Sequence, residues 1–135
     1  MAQAGVVVMP SRWEGFPNAL LEGMALGQAC VAADCPTGPR ELIAPDTPVD
    51  RVATATEITD AGVLVPPMPE SDLPAGTPLS ASEAALAAAL TRVLTDGDLR
   101  ARLQRGAAER ARAFTPARAL ADWQRVIRDS VRRPA

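Results

Sequence analysis

The chain has 135 residues, 47% of them hydrophobic, and a formal net charge of -2. That is one domain or less, with enough apolar content for a packed core and too much for disorder. It has no histidine and no tyrosine, and all 14 positive charges are arginine, which excludes Ser–His–Asp and Cys–His nucleophiles, lysine Schiff bases and the commonest metal ligand.

No apolar run nears the roughly 20 residues that span a bilayer. The leading "MAQAGVVVMPS" lacks the basic start of a signal peptide. A cytoplasmic protein is expected, and the charge balance does not mark it for nucleic acid. Cys30 and Cys35 are the only cysteines. Cys30, within "ACVAA", reads as a small buried hydrophobe, and no disulfide is expected.

In chain order, "GVVVM" (Gly5 to Met9) reads as a strand buried on both faces, stopped by Pro10. Asn18 to Leu26 reads as a helix, with Leu20, Leu21, Met24 and Ala25 at helical spacing, Asn18 as N-cap and Gly27 just past its end. "ACVAA" (Ala29 to Ala33) is a second strand. "GPRELI" (Gly38 to Ile43) is a short helix with Pro39 at its first position. Pro45 to Ala61 reads as a loop, "GVLVP" (Gly62 to Pro66) as a third strand and "PMPESDLPAGTPLS" as another loop. Three helices follow. The first starts at Ala81 or Ser82, ends at Leu94 and carries Leu86, Leu90, Val93 and Leu94. The second runs from Leu99 to about Phe114 with Leu99, Leu103, Ala107 and Ala111. The third spans Pro116 to Val131 with Leu120, Trp123, Val126 and Ile127 turned inward.

The order β-α-β-α-β-α-α-α predicts a partial Rossmann-like α/β fold: a parallel sheet of about three strands, flanking helices and a carboxyl-terminal helical run. Residues 1–67 hold the sheet and site segment, and 80–133 the helical segment, of a single partial domain. It looks like the second half of a nucleotide-binding domain. An unpaired sheet edge is expected at Gly5 to Met9.

Ligands of open parallel sheets bind at the carboxyl ends of the strands. Ser11 to Pro17, and then Thr37 and Gly38, leave the strands there. The helix starting near Asn18 aims its amino terminus at the same edge, an anion site suited to a diphosphate. Gly15 lets backbone approach closely. Glu14 lies on the loop and Glu22 one turn into the helix, off its apolar stripe. A carboxylate suits vicinal hydroxyls because it accepts two hydrogen bonds and donates none. On spacing alone, the plainer account is that both are surface acids near a helix start. Arg12 and Arg40 lie near this edge and face either phosphate or acceptor, Arg40 having Glu41 and Asp34 as alternative partners. Trp13 either stacks on a base or sugar or anchors the loop.

"PSRWEGFPNALLEGMALGQACVAADCPTGPRELI", followed by "GVLVPP", closely resembles the carboxyl-terminal half of retaining GT-B-fold glycosyltransferases of the group 1 family. That family carries a Glu-x7-Glu signature, and Glu14 and Glu22 are eight apart. The strong likeness covers about Ala4 to Ile43 and Gly62 to Pro67. "DCPTGPRE" resembles the subgroup that transfers hexoses or N-acetylhexosamines. The resemblance implies that Glu14 is catalytic, contacting the transferred sugar near the anomeric centre, and that Glu22 binds the ribose. It implies that Gly15, Phe16, Pro17 and Asn18, with the Ala19 or Leu20 amide, hold sugar and diphosphate. Arg12, Trp13, Thr37, Gly38 and Arg40 are further candidates. No metal and no cofactor are implied; the substrate is a UDP- or GDP-linked sugar, and the leaving diphosphate's charge falls to the helix dipole and basic side chains. The pathway implied is cell-surface polysaccharide biosynthesis, at the inner face of the membrane through peripheral association of the full protein.

Two departures stand out. Gly23 occupies a position where the family usually has alanine. The Arg and Lys that clamp the diphosphate, and the domain that binds a glycan or lipid-linked acceptor, lie upstream in the family, and this chain has no lysine. A truncated donor-binding fragment, inactive alone, is the expectation, with a non-catalytic nucleotide-sugar-binding fragment or a scaffold that folds with a partner as alternatives. Among weaker features, "DGD" (Asp96 to Asp98) mimics a metal motif but reads as capping, with Gly97 ending one helix and Asp98 capping the next. Arg100, Arg102, Arg105, Arg110 and Arg112 read as a solvated face paired with Glu109. Arg132 and Arg133 form a short basic tail.

Overall fold

Alternation along the apolar runs decides what lies on each face of the sheet. The structure, a computed structural model, describes residues 5–71 and 74–131; the Arg132–Arg133 tail lies outside them. Strands β1 (Val6–Met9), β2 (Ala29–Ala33) and β4 (Val63–Val65) are parallel, and a two-residue strand β3 (Glu57–Ile58) pairs antiparallel with β4. The order across the sheet is β1-β2-β4-β3, with Val7 opposite Cys30 and Ala32 opposite Leu64.

Every residue of β2 is buried. Cys30 and Ala32 face one core with Leu64; Ala29, Val31 and Ala33 face the other with Val63 and Val65. This is the period-2 division of a strand covered on both sides. The first core is closed by α1 (Asn18–Ala25) and α2 (Pro39–Ile43) through Leu20, Met24, Leu42 and Ile43. The second is closed by α3 (Ala81–Thr95) through Ala89 and Val93. Helix α4 (Gly97–Ala111) serves both, giving Leu99 and Leu103 to the second and Ala107 and Ala111 to the first. It passes so close to the start of β4 that a Cβ on Gly106 would sit 1.9 Å from the Asp60 carbonyl oxygen. Gly23 has a similar packing role: a Cβ there would lie 2.7 Å from Val7 Cγ2, so valine fills the room a methyl would take.

Several expectations need correction. The segment 45–61 is not all loop. Thr59 N–H donates to the Gly62 carbonyl at 2.9 Å, and its hydroxyl accepts from the Ala61 and Gly62 amides at 3.2 Å. This tight turn folds Glu57–Ile58 back onto β4 and adds a fourth strand. Strand β1 is only half-buried, with Val8 40% exposed. The N-cap of α1 is Pro17, and that of α4 is Asp96, not Asp98; the Asp96 side chain accepts from the Leu99 amide at 2.9 Å, Asp98 lies within the first turn, and Asn18 and Gly97 are the first residues of their helices. Leu94 is exposed while Val93 is buried. The arginines of α4 are more than a solvated face. Arg100 donates to the Leu94 carbonyl at 2.7 Å and Arg110 to that of Glu41 at 2.7 Å, placing cations at the carboxyl ends of α3 and α2.

The largest difference is α5 (Pro116–Val131), which has no buried residue. Leu120, Trp123, Val126 and Ile127 are all more than half exposed, so Trp123 is not core. Helical spacing specifies which face of a helix is apolar, not what covers it. No described helix is long and apolar enough to cross a membrane.

Candidate functional site

Because β1, β2 and β4 run parallel, the segments leaving them emerge on one edge: 10–17, 34–38 and 66–71. Glu14 sits in the first segment, half-buried. The Ser11 hydroxyl donates to its Oε1 at 2.6 Å, which fixes the carboxylate while leaving lone pairs for a ligand. Gly15 and Phe16 are exposed and Pro17 is buried. The first turn of α1 holds no acidic residue and no side-chain cap, so its amino terminus keeps the partial positive charge an anion would meet. The Leu20 and Leu21 amides both donate to the Pro17 carbonyl, at 3.0 and 3.1 Å, and the Asn18 amide to that of Phe16 at 2.9 Å. Ala19 is exposed on the same turn, and Glu22 is exposed one turn along, away from buried Leu20, Gly23 and Met24.

The second segment lies against the first. The Thr37 hydroxyl donates to the Glu14 carbonyl. Thr37 has φ +121°, a conformation foreign to a β-branched residue. Gly38 follows at φ +89°, and a Cβ there would be 2.6 Å from both the Gly15 carbonyl oxygen and Pro17 Cδ. Gly38 then becomes the N-cap of α2, with Pro39 at the first helical position. Cys35, buried at the base of this turn, donates through Sγ to the Thr37 carbonyl at 3.9 Å. Burial, and then the nearby Glu14 charge, push its thiol pKa up.

Arg40 is buried to 2% exposure. Its Nε donates to Asp34 Oδ2 at 3.1 Å, and its Nη1 to Thr47 at 3.0 Å and Glu57 at 3.2 Å. Burial works to lower its pKa, but the bonds to Asp34 and Glu57 outweigh that and raise it. Its guanidinium ties the end of β2 to α2 and β3. Arg12 instead lines a cavity of about 540 Å³ at the strand ends, with Pro10, Met68, Pro69 and Glu83. Glu83 is held below its ordinary pKa first by hydrogen bonds with Ser80, with a further contribution from Arg12. Trp13 is 72% exposed. A larger cavity, about 660 Å³, lies among Ile43, Thr47, Asp60, Gly106 and Arg110, ahead of β4 and away from these loops.

Phe114 closes the site from far along the chain. Its ring centroid is 5.7 Å from that of Phe16, and the Arg110 guanidinium lies 4.8 Å above it. Sequence patterning treats Phe114 as the end of a helix, whereas α4 stops at Ala111 and Phe114 lies beyond it; its aromatic character in an Ala/Arg-rich stretch was the available signal.

A family model described as glycosyl transferases group 1 matches residues 1–96, more than half of the chain. The chain belongs to this family. Among its curated relatives, the lipopolysaccharide 1,6-galactosyltransferase of Escherichia coli strain K12 is 41% identical over 44 residues, 33% of this chain and 12% of that protein. The amylovoran biosynthesis glycosyltransferase AmsD of Erwinia amylovora is 44% identical over 43 residues, 32% of this chain and 12% of that protein. Among solved structures, the sucrose-phosphate synthase of Thermosynechococcus elongatus superposes with a TM-score of 0.62 at 25% identity, over 95% of this chain and 25% of that one. The chain thus spans a small share of the relatives it matches, and its open, mostly parallel sheet is a GT-B-like fold fragment.

Proposed function

We propose that this chain is the donor-binding segment of a glycosyltransferase that moves a hexose or N-acetylhexosamine from a UDP- or GDP-linked sugar, with retention, onto a glycan or lipid-linked acceptor. The observation that carries this reading is Glu14, fixed by Ser11 on the loop that leads into the uncapped amino terminus of α1. In this reading the anomeric carbon–oxygen bond to the diphosphate breaks with its electron pair on the departing oxygen, an acceptor hydroxyl oxygen bonds to that carbon, and the hydroxyl proton passes to the departing diphosphate. Glu14 contacts the sugar at this centre. Glu22 accepts from the ribose hydroxyls. The α1 amino terminus, with the backbone of Gly15 and Phe16, offsets the leaving diphosphate's charge without a metal, the Asn18 and Leu20 amides being bonded to the Phe16 and Pro17 carbonyls. The names of the lipopolysaccharide and amylovoran relatives support a role in cell-surface polysaccharide synthesis.

The chain alone binds donor and does not transfer sugar, because in this reading the acceptor is held by a further domain, as the family resemblance implies. Ligand-observed NMR with UDP and GDP tests the binding: the wild type binds one of them and Glu22→Ala does not. A folded wild type that binds neither defeats the donor reading, and sugar transfer by the purified chain defeats the claim of inactivity.

A further inference from the structure

We propose that Thr37 is a positioning residue for Glu14. Its hydroxyl is bonded to the Glu14 carbonyl, not left free as a ligand contact. In a trans peptide the carbonyl and the following N–H point in opposite directions. Holding the Glu14 carbonyl against Thr37 therefore turns the Gly15 N–H away from the 35–38 turn. The next carbonyl, that of Gly15, meets Gly38, whose missing side chain allows the approach. One peptide plane beside Glu14 is thus held by Thr37, and the next is accommodated by Gly38.

The turn is built to bear on the loop. Thr37 N–H donates to the Cys35 carbonyl at 3.0 Å, and Cys35 Sγ to the Thr37 carbonyl. Immediately behind it, Arg40 and Asp34 tie both ends of the turn together in the buried core. Thr37 stays at positive φ only because this surrounding structure over-determines it. The consequence for ligands is selective: Thr37 braces the residue that meets the sugar, while Glu22 on α1 does not depend on it.

This inference rests on the donor reading above, and the test separates the two. UDP and UDP-galactose are titrated calorimetrically into the wild type, Thr37→Val and Thr37→Ser. Amide exchange at Asn18, which donates to Phe16 in the same loop, is followed in the ligand-free chains. Loss of one hydrogen bond predicts about tenfold weaker UDP-galactose binding in Thr37→Val, with UDP within twofold. It also predicts faster Asn18 exchange, and Thr37→Ser restores both. Thr37→Gly, which removes the hydroxyl and relieves the φ strain, substitutes if Thr37→Val does not fold. Equal weakening of both ligands, unchanged UDP-galactose binding or unchanged Asn18 exchange overturns the proposal. If the wild type binds neither ligand, the exchange comparison alone upholds or overturns the hold of Thr37 on the loop, and the donor reading falls as well only if GDP also fails to bind.

Discussion

Replacing Asp34 by alanine tests whether Arg40 is scaffold. Asp34 Oδ2 accepts from Arg40 Nε at 3.1 Å, from Arg40 Nη2, and from the Ala53 amide at 2.6 Å, with Asp34 and Arg40 both 2% exposed. The variant leaves a buried cation facing only the half-buried Glu57 and Thr47, and it orphans an amide. Breaking such a pair costs about 3–5 kcal/mol, and an unsatisfied buried amide about 1–3 kcal/mol. The two overlap, so about 4 kcal/mol is expected, against a total of roughly 7–20 kcal/mol for a chain of this size. At about 2 kcal/mol per molar urea, the midpoint falls by about 2 M. Far-ultraviolet circular dichroism is the readout, because Trp13 and Trp123 are both exposed and would report unfolding poorly. Adding Arg40→Met to Asp34→Ala removes the stranded charge and should recover at least about 1 kcal/mol. A single-variant loss below about 1 kcal/mol, or no recovery in the double variant, would refute the reasoning.

Gly106→Ala drives a methyl into the Asp60 carbonyl and should cost about 1–3 kcal/mol by overpacking, seen as a lower midpoint in the same urea titration. Ser80→Ala removes the side chain that accepts from the Glu83 amide at 3.2 Å; a loss of about 1 kcal/mol in thermal or urea unfolding is expected. Burial pushes the Cys30 thiol from 9.0 up to about 12. Its raised pKa makes stability complete below pH 9 and falling from there to about pH 12, as the unfolded thiol ionises first, at up to about 1.4 kcal/mol per pH unit. Cys30→Ala should flatten that slope when stability is measured across pH 8–11.

The elements best read from sequence are those whose pattern and neighbours are local. The β2 run is buried on both faces, as a continuous apolar stretch implies, and α4 buries Leu99, Leu103, Ala107 and Ala111 as spaced. Pro39 at the start of α2 follows from its fixed φ and absent N–H. What escapes is tertiary. Strand β3 exists because Thr59 tightens a turn and Glu57 reaches Arg40 and Arg51, neither of which shows in a two-residue stretch. The face of α5 is legible, its covering is not. At the site, the Glu14 and Glu22 spacing and the Thr37–Gly38 turn are visible in the sequence. The bond from Thr37 to Glu14, 23 positions apart, and the ring of Phe114 against Phe16 depend on how loops meet.

The Phe16–Phe114 contact sets an order on assembly. The loop bearing Glu14 is made well before one of its walls, which arrives about a hundred residues later, at translation speeds of about 5–20 residues per second. For several seconds the growing chain therefore presents an unfinished site, with Phe16 and the Leu42 side of the first core open to water. Long-range contacts of this kind slow folding. They also make the site a late product: a nascent chain acquires a shaped ligand edge only when α4 has docked.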